Sequence, residues 1–144
     1  MDLDEINLTF RSQNVNGFKN SKEFLYNECH SNSFDLLAIQ EHWLKPSHRK
    51  HTGTNSMKVL HPSFDAYATS GMDSQIGERL LKGRPYGGTG FLFQKSLSKC
   101  IRARVDLKHE RVSVMELCTV NEKILLISAY MPYYNTDGNL DLID

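Results

Sequence analysis

Asp35-Leu36-Leu37-Ala38-Ile39-Gln40-Glu41-His42-Trp43 decides the reading of this 144-residue chain. Leu36 to Ile39 run apolar without alternation between two polar residues. A short run of this kind reads as a strand buried on both faces, the usual state of a parallel strand. A parallel strand needs a crossover before it, and the preceding residues supply one. Asn20 stands as a helix cap and Glu23 as the third helical residue of a capping box. Phe24, Leu25 and Tyr26 give that helix its apolar surface, and Ser31-Asn32-Ser33 ends it. Further upstream, Ile6 to Val15 alternates in part (Ile6, Leu8, Phe10) and meets the turn signal Asn16-Gly17. The first 40 residues therefore read strand, helix, strand. Both strands of such a unit emerge at one edge of the sheet, where loops build sites. Asn14 ends the first strand and Glu41 follows the second, so the two are expected as neighbours.

Downstream the chain turns β-rich. Phe64 to Thr69 reads as a weak strand, Gly90 to Gln94 as a strand, and Arg111 to Leu117 as an alternating one. Lys123 to Met131 holds Ile124, Leu125, Leu126 and Ile127 and reads as a central strand. Val120-Asn121-Glu122 between these two runs predicts a hairpin, and Pro132 stops the second. Pro46 to His61 reads as a loop with one helical turn, and Gly71 to Gly88 as a long loop with Gly83, Gly87 and Gly88 near its end. Asn139 to Asp144 reads as the start of a helix. Six strands and one principal helix make the class mixed α/β (α+β), with a mixed sheet.

Composition excludes several classes. Seventeen basic side chains cancel 17 acidic ones, which argues against a coat of basic charge or an acidic tail. No apolar run approaches the ~20 residues that a membrane helix needs. Met1 to Glu5 is acidic and lacks the basic and apolar regions of a signal peptide. Cys29, Cys100 and Cys118 are widely spaced and odd in number, which reads as three reduced thiols in an intracellular protein. Charge is nevertheless uneven. Residues 1–75 carry 7 basic and 9 acidic groups, 76–111 carry 9 and 3, and 112–144 carry 1 and 5. The basic middle segment would suit a phosphate backbone, and a solvated surface explains it equally. Arg84 differs from its neighbours because it sits in the Gly-rich loop just before a strand. Such a loop can bring amides and a guanidinium to one phosphate.

Acidic residues at strand ends commonly hold a hard cation, and magnesium often takes only one or two ligands from the protein. Glu41 and Asn14 stand at such ends, and Tyr130 stands near the end of the most apolar strand. A phenol there can donate to a phosphate or orient a nucleophile. A turn asparagine, a solvated glutamate and a core-edge tyrosine account for the same three residues. His48 and His51 in the polar loop fit surface histidines better than a metal pair.

Five stretches then occur in a telling order. Phe10-Arg11-Ser12-Gln13-Asn14-Val15-Asn16-Gly17 resembles the opening strand of the endonuclease/exonuclease/phosphatase superfamily. Leu36 to Trp43 resembles its Gln-Glu motif, Tyr86-Gly87-Gly88-Thr89-Gly90-Phe91-Leu92-Phe93 its Gly-rich strand entry, and Arg111 to Leu117 the strand that follows. Ile127-Ser128-Ala129-Tyr130-Met131-Pro132 is similar to the strand that ends in Tyr-x-Pro. Ser12 to Gly17, Ile39 to Leu44 and Gly83 to Gly88 resemble the apurinic-endonuclease-like domains of non-LTR retrotransposons in particular. Gln13 replaces an aromatic residue common in repair enzymes.

The resemblance implies a four-layered α/β/β/α sandwich, of which residues 1–144 supply the N-terminal half as one incomplete domain. It implies Mg2+ (or Mn2+) held by Glu41 with Asn14, Tyr130 at the scissile phosphate, and Arg84 and Arg111 on backbone phosphates. It implies DNA as the substrate, a downstream reverse transcriptase as partner, and a nuclear setting within an intact element. The Gly-Asp-x-Asn and Ser-Asp-His motifs of the family's second half are absent from this sequence, so the fragment is expected to be inactive. Another phosphatase or phosphodiesterase of the superfamily and a non-catalytic nucleic-acid-binding remnant are the alternatives.

Overall fold

The computed structural model describes residues 7–49, 52–72, 86–131, 133–134 and 140–141. The expected strand, helix, strand unit is present. β1 (Phe10–Asn14) leads through α1 (Phe18–His30) to β2 (Leu36–Gln40), and the two strands pair in parallel, Phe10 opposite Leu36 and Asn14 opposite Gln40. A 3₁₀ helix over Gly53–Val59 precedes β3 (Phe64–Thr69), which is antiparallel to β4 (Thr89–Gln94). β4 also pairs antiparallel with β2, giving a mixed sheet in the order β1-β2-β4-β3. β5 (Ile101–Ala103), β6 (Val112–Cys118) and β7 (Lys123–Ala129) form a second, antiparallel sheet in that order. The hairpin between β6 and β7 closes where expected, with the Thr119 amide on the Glu122 carbonyl at 2.8 Å.

Three layers follow from the side-chain alternation of strands. Leu37 and Ile39 of β2, Phe64 and Ala66 of β3, and Leu92 of β4 face α1, where Phe18, Leu25 and Cys29 meet them in one buried cluster. Leu36, Phe91 and Phe93 face the other way and pack with Met115 of β6, joined by Ala38, Tyr67 and Leu126. The mixed sheet is thus covered on both faces, by α1 and by the second sheet. Among the described residues no α-helix lies on the outer face of the second sheet, so three of the four expected layers are seen.

Four expectations need correction. α1 starts at Phe18, and Asn20 lies inside its first turn; Gly17 precedes the helix and no side chain caps it. The reason is tertiary: the Gly17 and Phe18 amides donate to the carbonyls of Glu41 and His42, each at 2.8 Å. The apolar run after Lys123 is not central. β7 is the edge of its sheet, and Leu125 and Ile127 on its outer side are 49% and 59% exposed. β5 was not foreseen, because Ile101-Arg102-Ala103 is too short to show a period. Leu140–Asp141 form β9, paired with β8 (Tyr133–Tyr134), where a helix start was expected. Residues 142–144 lie outside the described residues. No helix among the described residues is long and apolar enough to cross a membrane.

Candidate active site

The ends of β1 and β2 and the start of β4 meet at one end of the sandwich. Glu41 leaves β2 with φ +57° and Trp43 has φ +60°, a left-handed backbone that residues with a Cβ seldom adopt. Neighbouring backbone imposes it. The Val15 amide donates to Gln40 O at 3.0 Å, while the Glu41 and Trp43 amides donate to Gly88 O at 2.8 Å and Gly87 O at 2.9 Å. Residues 41–43 are thereby laced between the β1–α1 turn and the Gly87–Gly88 entry to β4. Strained residues cluster where a site must hold its geometry, and here the strain falls on the acidic residue.

Glu41 is 6% exposed. The Asn14 amide nitrogen donates to its Oε2, and Asn14 Oδ1 accepts from the Asn16 amide at 3.0 Å. The neighbours inferred from strand topology are therefore hydrogen-bonded, and the turn fixes the amide that holds the carboxylate. Among the described residues no cationic side chain pairs with Glu41. A buried carboxylate without a cation is costly, so the donor set suits a hard divalent ion. No group of three or more His, Cys, Asp or Glu side chains gathers among the described residues. A magnesium-like cation at Glu41 would take one or two protein oxygens and keep most of its water.

Tyr130 follows β7 at the same end, half-buried, its amide on the Arg111 carbonyl at 2.9 Å. Two residues before it, Ser128 ties the two sheets together. Its hydroxyl donates to Ile39 O at 2.8 Å and accepts from Gln40 Nε2 at 3.0 Å. A second tie joins Thr89 and Ser113 through their hydroxyls at 2.8 Å. These partnerships of Gln40, Ser113 and Ser128 leave no sign in the sequence, because a lone polar residue in an apolar strand does not announce its partner. Arg111 immediately precedes β6, half-buried, and its guanidinium has no ion-pair partner among the described residues. Arg84 lies outside the described residues, as do Arg79, Lys82 and His51. Within the described part of the basic middle segment, Arg104 is held by Asp106 and Glu116.

Comparison with solved structures places this architecture. The chain is similar to the endonuclease domain of TRAS1, a telomere-specific non-LTR retrotransposon, with a TM-score of 0.55 at 13% identity over 87% of this chain and 45% of that one. It is similar to the AP endonuclease LMAP from Leishmania major, with a TM-score of 0.58 at 17% identity over 85% and 40%. It is similar to an AP endonuclease from Archaeoglobus fulgidus, with a TM-score of 0.54 at 11% identity over 88% and 42%. The chain spans less than half the length of each. No protein-family model matches the sequence, and no curated protein sequence matches it significantly. The fold is of the endonuclease/exonuclease/phosphatase kind.

Proposed function

We propose that this chain is the metal- and phosphate-binding half of a DNA phosphodiesterase, of the type that nicks target DNA for a retroelement. The observation that carries the reading is the buried Glu41 carboxylate, held by Asn14 and without a cationic partner among the described residues. The likeness to a retrotransposon endonuclease domain supports DNA as the substrate. Glu41, with Asn14, would hold Mg2+ or Mn2+, which supplies Lewis acidity toward the scissile phosphate and its leaving oxygen. Asn14 fixes the direction of the carboxylate through its own bond to the Asn16 amide. Tyr130 offers a phenol to a phosphate oxygen, and Arg111 a guanidinium to the DNA backbone. Arg84 is assigned the same task as Arg111. The residues that orient the attacking water are assigned to a C-terminal half of the domain, and the nick to a reverse transcriptase acting in the nucleus.

The test is binding first and cleavage second. Mn2+ titration of the 144-residue chain, followed by electron paramagnetic resonance, is expected to show a site that Glu41→Ala removes. DNA binding is expected to weaken with salt and to fall further in Arg111→Ala. Supercoiled plasmid is expected to stay intact in Mg2+. Nicking that Glu41→Ala abolishes would overturn the claim that this fragment is inactive. A chain that binds neither Mn2+ nor DNA would overturn the reading itself.

A further inference from the structure

His42 is buried to 1% exposure beside the carboxylate that the proposed function relies on. Both of its ring nitrogens are engaged. The Leu44 amide stands 2.9 Å from Nδ1, and an amide can only donate, so Nδ1 carries the lone pair. The neutral ring then bears its proton on Nε2, which donates to the Thr69 carbonyl at 2.9 Å. The imidazole therefore spans from its own loop to the end of β3. Its face lies against Gly88, where any Cβ would stand 2.2 Å from Cε1. Gly88 is the residue whose carbonyl receives the Glu41 amide. On the other side of the loop the Trp43 ring covers Gly17, where a Cβ would stand 2.6 Å from Cε3. Two rings thus seat on two glycines, and the left-handed Glu41 sits between these seats.

We infer that His42 is a positioning residue that sets the direction of the Glu41 carboxylate by fastening the 41–44 loop to Thr69 and Gly88. The inference rests on the proposed metal role of Glu41 and adds to it the residue that holds the ligand in place. Without the imidazole the loop loses its bond to β3 and its packing on Gly88. The left-handed conformation at Glu41 is then held by its backbone bonds to Gly17 and Gly88 alone. A ligand whose supporting contact is removed typically loses about 10- to 100-fold in metal affinity.

The test is Mn2+ binding by the full chain, with far-ultraviolet circular dichroism and Tm recorded for each variant. His42→Leu is expected to weaken Mn2+ binding roughly 10- to 100-fold while the chain stays folded. His42→Gln can still donate to the Thr69 carbonyl and His42→Asn can still accept from the Leu44 amide. Each is expected to fall between wild type and His42→Leu, a graded rescue that a merely space-filling ring would not give. Unchanged Mn2+ affinity in a folded His42→Leu, with Glu41→Ala abolishing binding, overturns this inference alone. Mn2+ binding that survives Glu41→Ala overturns the metal reading and this inference together. Should His42→Leu not fold, wild-type affinity in both His42→Gln and His42→Asn overturns the inference, and a graded loss supports it.

Discussion

In the proposed site Glu41 and His42 divide one task between neighbouring residues: the first would present an oxygen and the second would fix the backbone that presents it. A neutral, fully enclosed imidazole also couples folding to pH. Burial pushes His42 down to about 4 from its ordinary 6.5, against the opposing pull of the Thr69 and Thr89 carbonyls. Between those two values the unfolded chain binds a proton that the folded chain refuses. Its contribution is therefore complete above about pH 6.5 and shrinks as pH falls toward 4. The difference corresponds to a loss on the order of 3 kcal/mol. Denaturant titrations at pH 7 and pH 4.5 are expected to show this loss in the wild-type chain and a smaller one in His42→Gln. Equal pH dependence in the two would refute the assignment of the loss to His42.

Among the elements, β7 carries the chief liability. Its sequence Lys-Ile-Leu-Leu-Ile-Ser-Ala has strong strand propensity and no internal charge. One edge pairs with β6, and the described residues place no strand on the other. Long apolar edges template pairing with further chains. Ile127 faces outward beside Val114 and is 59% exposed. Ile127→Lys is expected to change stability by no more than about 0.5 kcal/mol, since it removes little buried surface. It is also expected to raise the monomer fraction in sedimentation velocity, because lysine blunts an edge. An unchanged distribution would show that β7 is not the contact.

The same strand shows what the sequence can and cannot tell. The run from Ile124 to Ile127 announces a strand, but composition is silent on how many neighbours it has. β2 was readable in both type and direction, because an unbroken apolar run after a helix leaves few other placements. β3 was readable to its ends, although its sequence signal was weak. The start of α1 was misread because its first amides answer to Glu41 and His42 carbonyls, distant in sequence, and not to a local cap. The Asn14–Glu41 pair was foreseeable from topology. The His42–Thr69 bond and the Gln40–Ser128 tie were not, because they join segments 27 and 88 residues apart through single side chains.

At the level of the molecule, the two sheets are offset. β7 packs over β2 and β4, and β6 over β4 and β3, so the second sheet stops short of β1. The face of β1 that points toward the second sheet carries Phe10, Ser12 and Asn14, all exposed, with Phe10 at 44%. That face forms a ledge beside the open edge of β7, and apolar surface on it faces water, as it does at Leu125 and Ile127. Packing is thus dense around α1 and the β2–β4 pair, and thin along the β1–β7 side. We expect the isolated 144-residue chain to self-associate or to melt broadly, and to bind a hydrophobic dye at neutral pH. Adding a polypeptide that supplies the second half of an endonuclease of this fold should abolish dye binding and sharpen the transition. Phe10→Ser together with Ile127→Lys should reduce dye binding without such a partner. A sharp, concentration-independent transition of a monomer that binds no dye would show that the ledge is already satisfied within the chain. In that event the proposed site of Asn14, Glu41 and Tyr130 would be carried by a domain that satisfies its own apolar surface.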